Sequence, residues 1–223
     1  MNDSKQQPTA KQYRPKRAMG MDLSPTGSAM VTLEQTSPKA IPTVVAMTLL
    51  NRGKSPPKKG DELLRGMSVH NLVYVASGIG HELTIRAPML VCLEDYSGGH
   101  GPQAVQLPFI GEVGGAARLW MHQGGVRWFE LAASTLKKYV TGSGKGKKET
   151  MWLGCYQRWG IDTKTLGTDN NVLDAYCLAR AALALLWHEE DPSTMTNVDK
   201  VALKPIRVGG SSRLKKDKKG SNE

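Results

Sequence analysis

Two apolar rhythms run along the chain, and their order predicts its architecture. From Arg17 to Glu34 apolar and polar positions alternate, with a break at Ser24-Pro25-Thr26-Gly27. That pattern predicts a β-hairpin with Asp22 at the end of its first strand. A third strand is expected at Thr43–Leu50, followed by a loop from Asn51 to Gly60 that Pro56 and Pro57 punctuate. From Asp61 to about Ile79 the apolar spacing becomes helical. Met89–Leu93 is a short continuous apolar run ending in Glu94, which suits a strand covered on both sides. A helix is expected from Phe109 to His122 despite Gly111, Gly114 and Gly115. Each costs ~1 kcal/mol in a helix interior, so close packing against another backbone is the expected reason for them. Val126–Leu131 reads as a strand, Ser134–Lys148 as a basic, Gly-punctuated segment, and Glu149–Trp159 as a short helix.

The last strong pattern is Thr168–Leu183, a helix that Thr168 or Asp169 can cap. Leu178, Ala181 and Leu185 recur at helical spacing below Asp174, so Asp174 points where the core points. A carboxylate there needs another charge, a capped amide or a metal. Three strands followed by strands alternating with helices predict one α/β domain, its mixed sheet opening with an antiparallel meander.

Composition adds where the charge lies. The 223 residues carry a formal charge of +10. Residues 1–17 contribute a net +4 and residues 204–223 a net +5, so the body between them is nearly neutral. Basic tails attract polyanions without sequence specificity, which makes nucleic acid the leading partner. The expected organisation is a basic tail over 1–17, a folded domain over 18–190 and a basic, flexible tail over 191–223. Cys92, Cys155 and Cys177 are few and far apart, which suggests reduced thiols in a cytoplasmic setting and excludes a C-x-x-C zinc site. No apolar run approaches the ~20 residues needed to span a bilayer, and no signal peptide is visible.

Three carboxylates fall at equivalent places. Asp22 ends the first strand, Glu94 the central strand, and Asp174 lies in the first turns of the last long helix. In an α/β sheet, ligands bind beyond the carboxyl ends of the strands. Three acids gathered there repel one another unless cations neutralise them, and hard oxygen donors suit Mg²⁺ or Mn²⁺ better than zinc. Two such ions about 4 Å apart can clamp the attacking and leaving oxygens of a phosphodiester.

The motifs around these acids resemble those of RuvC-type Holliday-junction resolvases, in the ribonuclease H-like superfamily, and of phage-encoded members most closely. GMDLSPTGSAM is similar to the family's first strand-turn-strand, and LVCLEDYSGG to the strand that ends in its second acid. STLKKYVTGSGKGKKE followed by NNVLDAYCLA resembles the family's basic, Gly-rich run and last-helix acid. The likeness covers about Arg17 to Leu186. It implies a mixed five-stranded sheet, antiparallel over its first three strands and then parallel, with helices on both faces. It also implies a homodimer that cuts four-way and other branched DNA with two Mg²⁺ ions, or Mn²⁺ as substitute, and no small-molecule cofactor. The expected products carry 5′-phosphate and 3′-hydroxyl ends. Asp22, Glu94 and Asp174 become metal ligands by this carry-over, with Lys148 catalytic beside them. Lys137 and Lys148 match the family's two basic positions near the scissile phosphate. Lys138, Lys145 and Lys147 are further charges in the same segment and candidate DNA-backbone contacts, and Tyr96, just past Glu94, is a residue that can stack on a splayed base. The departure is Asn171, which stands where the family places a further acid or His. With its neutral carbonyl oxygen it is a candidate ligand or orienter, with Asp169 as a second candidate.

Overall fold

The computed structural model describes residues 13–24, 27–50, 69–95 and 107–203. Five strands form one sheet in the order β3-β2-β1-β4-β5. They are β1 (Lys16–Asp22), β2 (Ser28–Gln35), β3 (Thr43–Leu50), β4 (Leu90–Asp95) and β5 (Trp128–Ala132). The first three are an antiparallel meander, while β4 lies parallel to β1 and β5 parallel to β4. The mixed sheet expected from the pattern is the sheet observed.

Alternation along β1 sorts the two cores, because successive side chains of a strand point to opposite faces. Met19 and Met21 pack with Val75, Ile79 and Leu83 of α1 (Val69–Arg86) and with Val113, Ala117 and Met121 of α2 (Leu107–Gln123). Ala18 faces the other way, in a core shared with Cys92 and Phe129. That second core also takes in α3 (Ala133–Thr141), α4 (Lys148–Trp159), α6 (Asn170–Glu190) and α7 (Asn197–Leu203). A one-turn helix, α5 (Thr163–Leu166), links α4 to α6.

α6 is the central helix, buried almost continuously from Val172 to Leu183. Its small side chains permit that, and Gly20 permits more. A Cβ on Gly20 would stand 1.9 Å from the Ala175 carbonyl oxygen and 2.4 Å from the Ala179 nitrogen. The backbone of α6 therefore rests directly on the backbone of β1. On its other flank, the Cys155 sulfur of α4 touches the Cys177 sulfur at 3.3 Å, both as buried free thiols.

Several expectations change. The helix expected to end near Ile79 runs on to Arg86, and the first part of that reading, residues 61–68, lies outside the described residues. The glycines of α2 do not relieve a close contact. A Cβ on Gly111 or Gly115 would meet nothing within 4 Å, and one on Gly114 only the side chain of Arg118. Residues 133–141, read as part of a basic loop, form α3, because Leu136, Tyr139 and Val140 supply a buried face that the lysines obscure. Gly142 ends it at φ 78°.

Residues 192–203, read as tail, fold back onto the domain. Met195, Ala202 and Leu203 enter the α6 core, and Asp199 pairs with Arg158 at 2.9 Å. A capping box starts α7: the Asp199 carboxylate accepts from the Thr196 amide at 2.9 Å, and the Thr196 hydroxyl accepts from the Asp199 amide at 3.2 Å. At the other terminus Tyr13 stacks edge-on against Trp187, and Lys16 pairs with Glu190 at 2.7 Å.

The Gly20 contact generates a first prediction. Gly20→Ala must push α6 off the sheet, because the opposing atoms are backbone, and such overpacking costs about 3 kcal/mol. Thermal unfolding is expected to show a lower Tm, by about 2–4 °C per kcal/mol for a chain of this size. An unchanged Tm would mean that α6 steps back at no cost.

Candidate metal centre

Sheet register brings the first two acids together. Gly20 lies beside Cys92 and Met21 beside Leu93 in the parallel β1–β4 pair, so Asp22 and Glu94 follow side by side at the strand ends. Alternation from Ala18 and Cys92 turns both toward α6. The third acid comes from α6, where Asp174 sits one residue before the Ala175 carbonyl that rests on Gly20. One ligand oxygen from each of Asp22, Glu94 and Asp174 lies within 4.8 Å of the others. Gly20 was missed as a positioning residue, although its signal was legible: a glycine two residues before a strand-end acid, on the same face.

The first turn of α6 is fixed by side chains around the cluster. Asp169 is the cap, accepting from the amides of Asn171 at 2.8 Å and Val172 at 3.4 Å. Asn171 donates its side-chain amide to the Gly27 carbonyl at 2.8 Å, tying the turn after β1 to the start of α6. Within that turn the Ser24 hydroxyl accepts from the Gly27 amide at 3.0 Å. Asn171 is thus placed as a tether through its side-chain nitrogen, the orienting role expected of it as an alternative to that of ligand.

Lysines answer the acids. Lys148, the first residue of α4, makes an ion pair with Asp174, its own side chain 45% exposed. Lys137 of α3 lies close enough to favour the ionised forms of Glu94 and Asp174. Lys138, Lys145 and Lys147 are exposed on α3 and the loop that follows it. Tyr96 lies outside the described residues.

The electrostatics are those of a crowded anionic site. Burial pushes Asp22 up to about 8, with Glu94 and Asp174 adding repulsion and Lys148 opposing them. Burial pushes Glu94 up to about 7, reinforced by Asp174 and opposed by Lys148, Lys137 and a hydrogen bond with Asp22. Asp174 is also raised, because burial outweighs its bond to Lys148. Lys148 is raised although burial works against its charge, since the Asp174 hydrogen bond and the three carboxylates favour it. Burial and mutual repulsion thus favour the neutral forms of Asp22 and Glu94. Three hard oxygen donors, partly buried and short of positive charge, fit a divalent ion such as Mg²⁺ or Mn²⁺.

The whole chain trace can be compared with solved structures. Thermus thermophilus RuvC in complex with a Holliday junction substrate aligns over 74% of this chain and 90% of that one, with TM-score 0.58 and 15% identity. The fold is that of the RuvC resolvases. A second Thermus thermophilus RuvC structure covers 86% of this chain and 99% of its own at TM-score 0.58 and 14% identity. The yeast mitochondrial Holliday junction resolvase covers 88% of this chain and 83% of its own at TM-score 0.52 and 11% identity. No family model and no curated protein matches the sequence, so the likeness to RuvC is one of three-dimensional structure.

The raised acids predict how stability depends on pH. Asp22 keeps its proton up to about 8 in the folded, metal-free protein, against an ordinary value of 3.8. Between those values the folded state binds more protons than the unfolded one, so stability falls as pH rises through that window. Glu94 acts in the same direction up to about 7. Metal-free protein is therefore expected to lose Tm from about pH 5 to pH 8, and Asp22→Asn to lose less. Mg²⁺ is expected to restore more Tm near pH 8 than near pH 6, because its binding displaces protons. Parallel Tm–pH curves for parent and variant would refute the repulsion between these acids.

Proposed function

We propose that this chain is a Mg²⁺-dependent, structure-selective endodeoxyribonuclease that cleaves Holliday junctions and other branched DNA. The observation that carries the reading is the convergence of Asp22, Glu94 and Asp174 at the strand ends of a RuvC fold. Bound divalent ions would supply the activation of water and the neutralisation of charge on the departing oxygen. Asp22, Glu94 and Asp174 would hold two such ions, and hydrolysis would leave 5′-phosphate and 3′-hydroxyl ends. Lys148 would move from Asp174 to the scissile phosphate, where its charge offsets that of the phosphate in the transition state. Lys137, Lys138, Lys145 and Lys147 would follow the flanking backbone. Asn171 would keep the β1–β2 turn clear of the strand entering the site, and Asp169 would fix the first turn of α6 as its cap.

A four-way junction presents two equivalent strands, and a twofold dimer supplies two sites. Gly111, Gly115 and Leu119 form one exposed stripe on α2, the two glycines open at Cβ and Leu119 exposed, which suits a partner helix. The reading extends to an intracellular enzyme of the phage-encoded type, working in the host cytoplasm. Among the described residues no helix is long and apolar enough to cross a membrane. The same fold and acids would also serve a nuclease for RNA–DNA hybrids or forks.

Synthetic four-way, three-way, linear and hybrid substrates separate these readings. Mg²⁺-dependent cutting is expected to be fastest on the four-way junction and to stop on chelation. Asp22→Asn and Asp174→Asn are each expected to lower the rate at least ~10³-fold while junction binding persists. Junction cutting by Asp174→Asn at the parental rate would end the metal-nuclease reading, and faster cutting of hybrids would favour the alternative. The basic tail is tested separately. Removing residues 204–223, with their net +5, is expected to flatten the slope of log affinity against log salt by up to about 4. Cleavage at low salt should survive, and its loss would place part of the tail in the site.

A further inference from the structure

A cavity of about 310 Å³ lies on the flank of α6 away from the acids, closed by α3, α4 and the segment after α6. Tyr139, Arg158, Trp159, Arg180, Thr196 and Asp199 form its polar side. Arg180 stands six residues beyond Asp174 on α6, about 9 Å along the helix axis. Gln35, at the far wall, pairs with Lys16 at the opposite end of β1 from Asp22. The cavity is thus separate from the acidic cluster.

Its charges do not cancel. Arg158 donates to the Tyr139 carbonyl and, at 2.9 Å, to the Asp199 carboxylate. The other Asp199 oxygen accepts from the Thr196 amide at 2.9 Å and hydroxyl at 2.7 Å. Asp199 is therefore fully engaged by its neighbours. Arg180 makes no ion pair among the described residues. It lies 4.8 Å from the Trp159 ring centroid, and its charge acts against the burial that raises Tyr176. Two guanidiniums face one carboxylate, so the lining is net positive. Among the described residues, most of the five donors of Arg180 and the Nε–H of Arg158 have no acceptor.

That combination selects a ligand class. A planar guanidinium matches the oxygens of a phosphate in pairs, and stacking on an indole holds the fork in place before the ligand arrives. Both guanidiniums stack on the same ring, Arg158 at 5.1 Å from its centroid. The volume lies at the small end of ligand pockets, enough for a phosphate group with a modest organic portion. We propose that this cavity binds a small phosphate-bearing anion, with Arg180 as its principal ligand and Arg158 Nε–H as the second. The site stands whether or not the acidic cluster cuts DNA.

The test uses the full chain with inorganic phosphate, deoxyadenosine 5′-monophosphate and deoxyadenosine at constant ionic strength. Calorimetric titration is expected to show saturable phosphate binding by the parent, and thermal unfolding a matching rise in Tm. Arg180→Gln is expected to bind about tenfold more weakly or worse, the size of one lost charge-assisted pair. Arg180→Lys keeps the charge without the fork and is expected to fall between. It also decides the matter if circular dichroism shows Arg180→Gln to be misfolded. Lys148→Gln is expected to bind phosphate like the parent, which separates the cavity from the basic loop. Tighter binding of the monophosphate than of phosphate, with none of the nucleoside, would identify a nucleotide. Equal binding of the two would identify the free oxyanion, and either result supports the site. No saturable binding by the parent, or parental affinity in both Arg180 variants, overturns it. Arg180→Gln should keep the parental Tm response to Mg²⁺, so failure of this site and failure of the metal centre are read separately.

Discussion

Everything in this structure hangs on one backbone contact, the seating of α6 on β1 at Gly20. A side chain there would overlap main-chain atoms that cannot swing aside. The absence of a Cβ brings the helix close enough for an acid on its first turns to meet acids on two strand ends. Neighbouring choices agree with it, since Ala175, Ala179, Ala181 and Ala182 are small and buried on the same helix. Packing and chemistry are one constraint here. A helix set back by the thickness of a methyl group would leave Asp174 out of reach of Asp22.

The cluster so formed is unfavourable by itself, and the protein tempers it in two ways. Asp22 and Glu94 are raised toward their neutral forms, and Lys148 reaches from α4 to Asp174. Burial is the largest influence on each acid, ahead of mutual repulsion. The cluster stays short of positive charge, since Lys148 pairs with one carboxylate of the three. Functional sites often carry this kind of local conflict, compensated by the packing around them.

Much of this was legible in the residues alone, for identifiable reasons. Strands with strict alternation, such as Arg17–Glu34, declare their faces, and so the ends where Asp22 and Glu94 would lie. The α6 stretch declared itself by helical spacing and a capping acid. Less legible were elements whose burial depends on partners distant in sequence. α3 carries Lys137 and Lys138 beside only three buried residues, so charge masked its period. α7 is seven residues long and borders a lysine-rich tail, and its capping box from Thr196 to Asp199 was the signal passed over. The role of Asn171 could not be read locally, because its hydrogen bond spans 144 residues to Gly27.

The touching sulfurs of Cys155 and Cys177 carry a mechanical consequence. They mark the seam between the helix that begins with Lys148 and the helix that holds Asp174. On the same buried face α4 also abuts α3 through Gly154, whose Cβ would stand 3.0 Å from the Val140 carbonyl oxygen. α4 is thus held along one face, between α3 and α6. The seam sets the height of Lys148 above the acids much as a shim sets the gap of a vice.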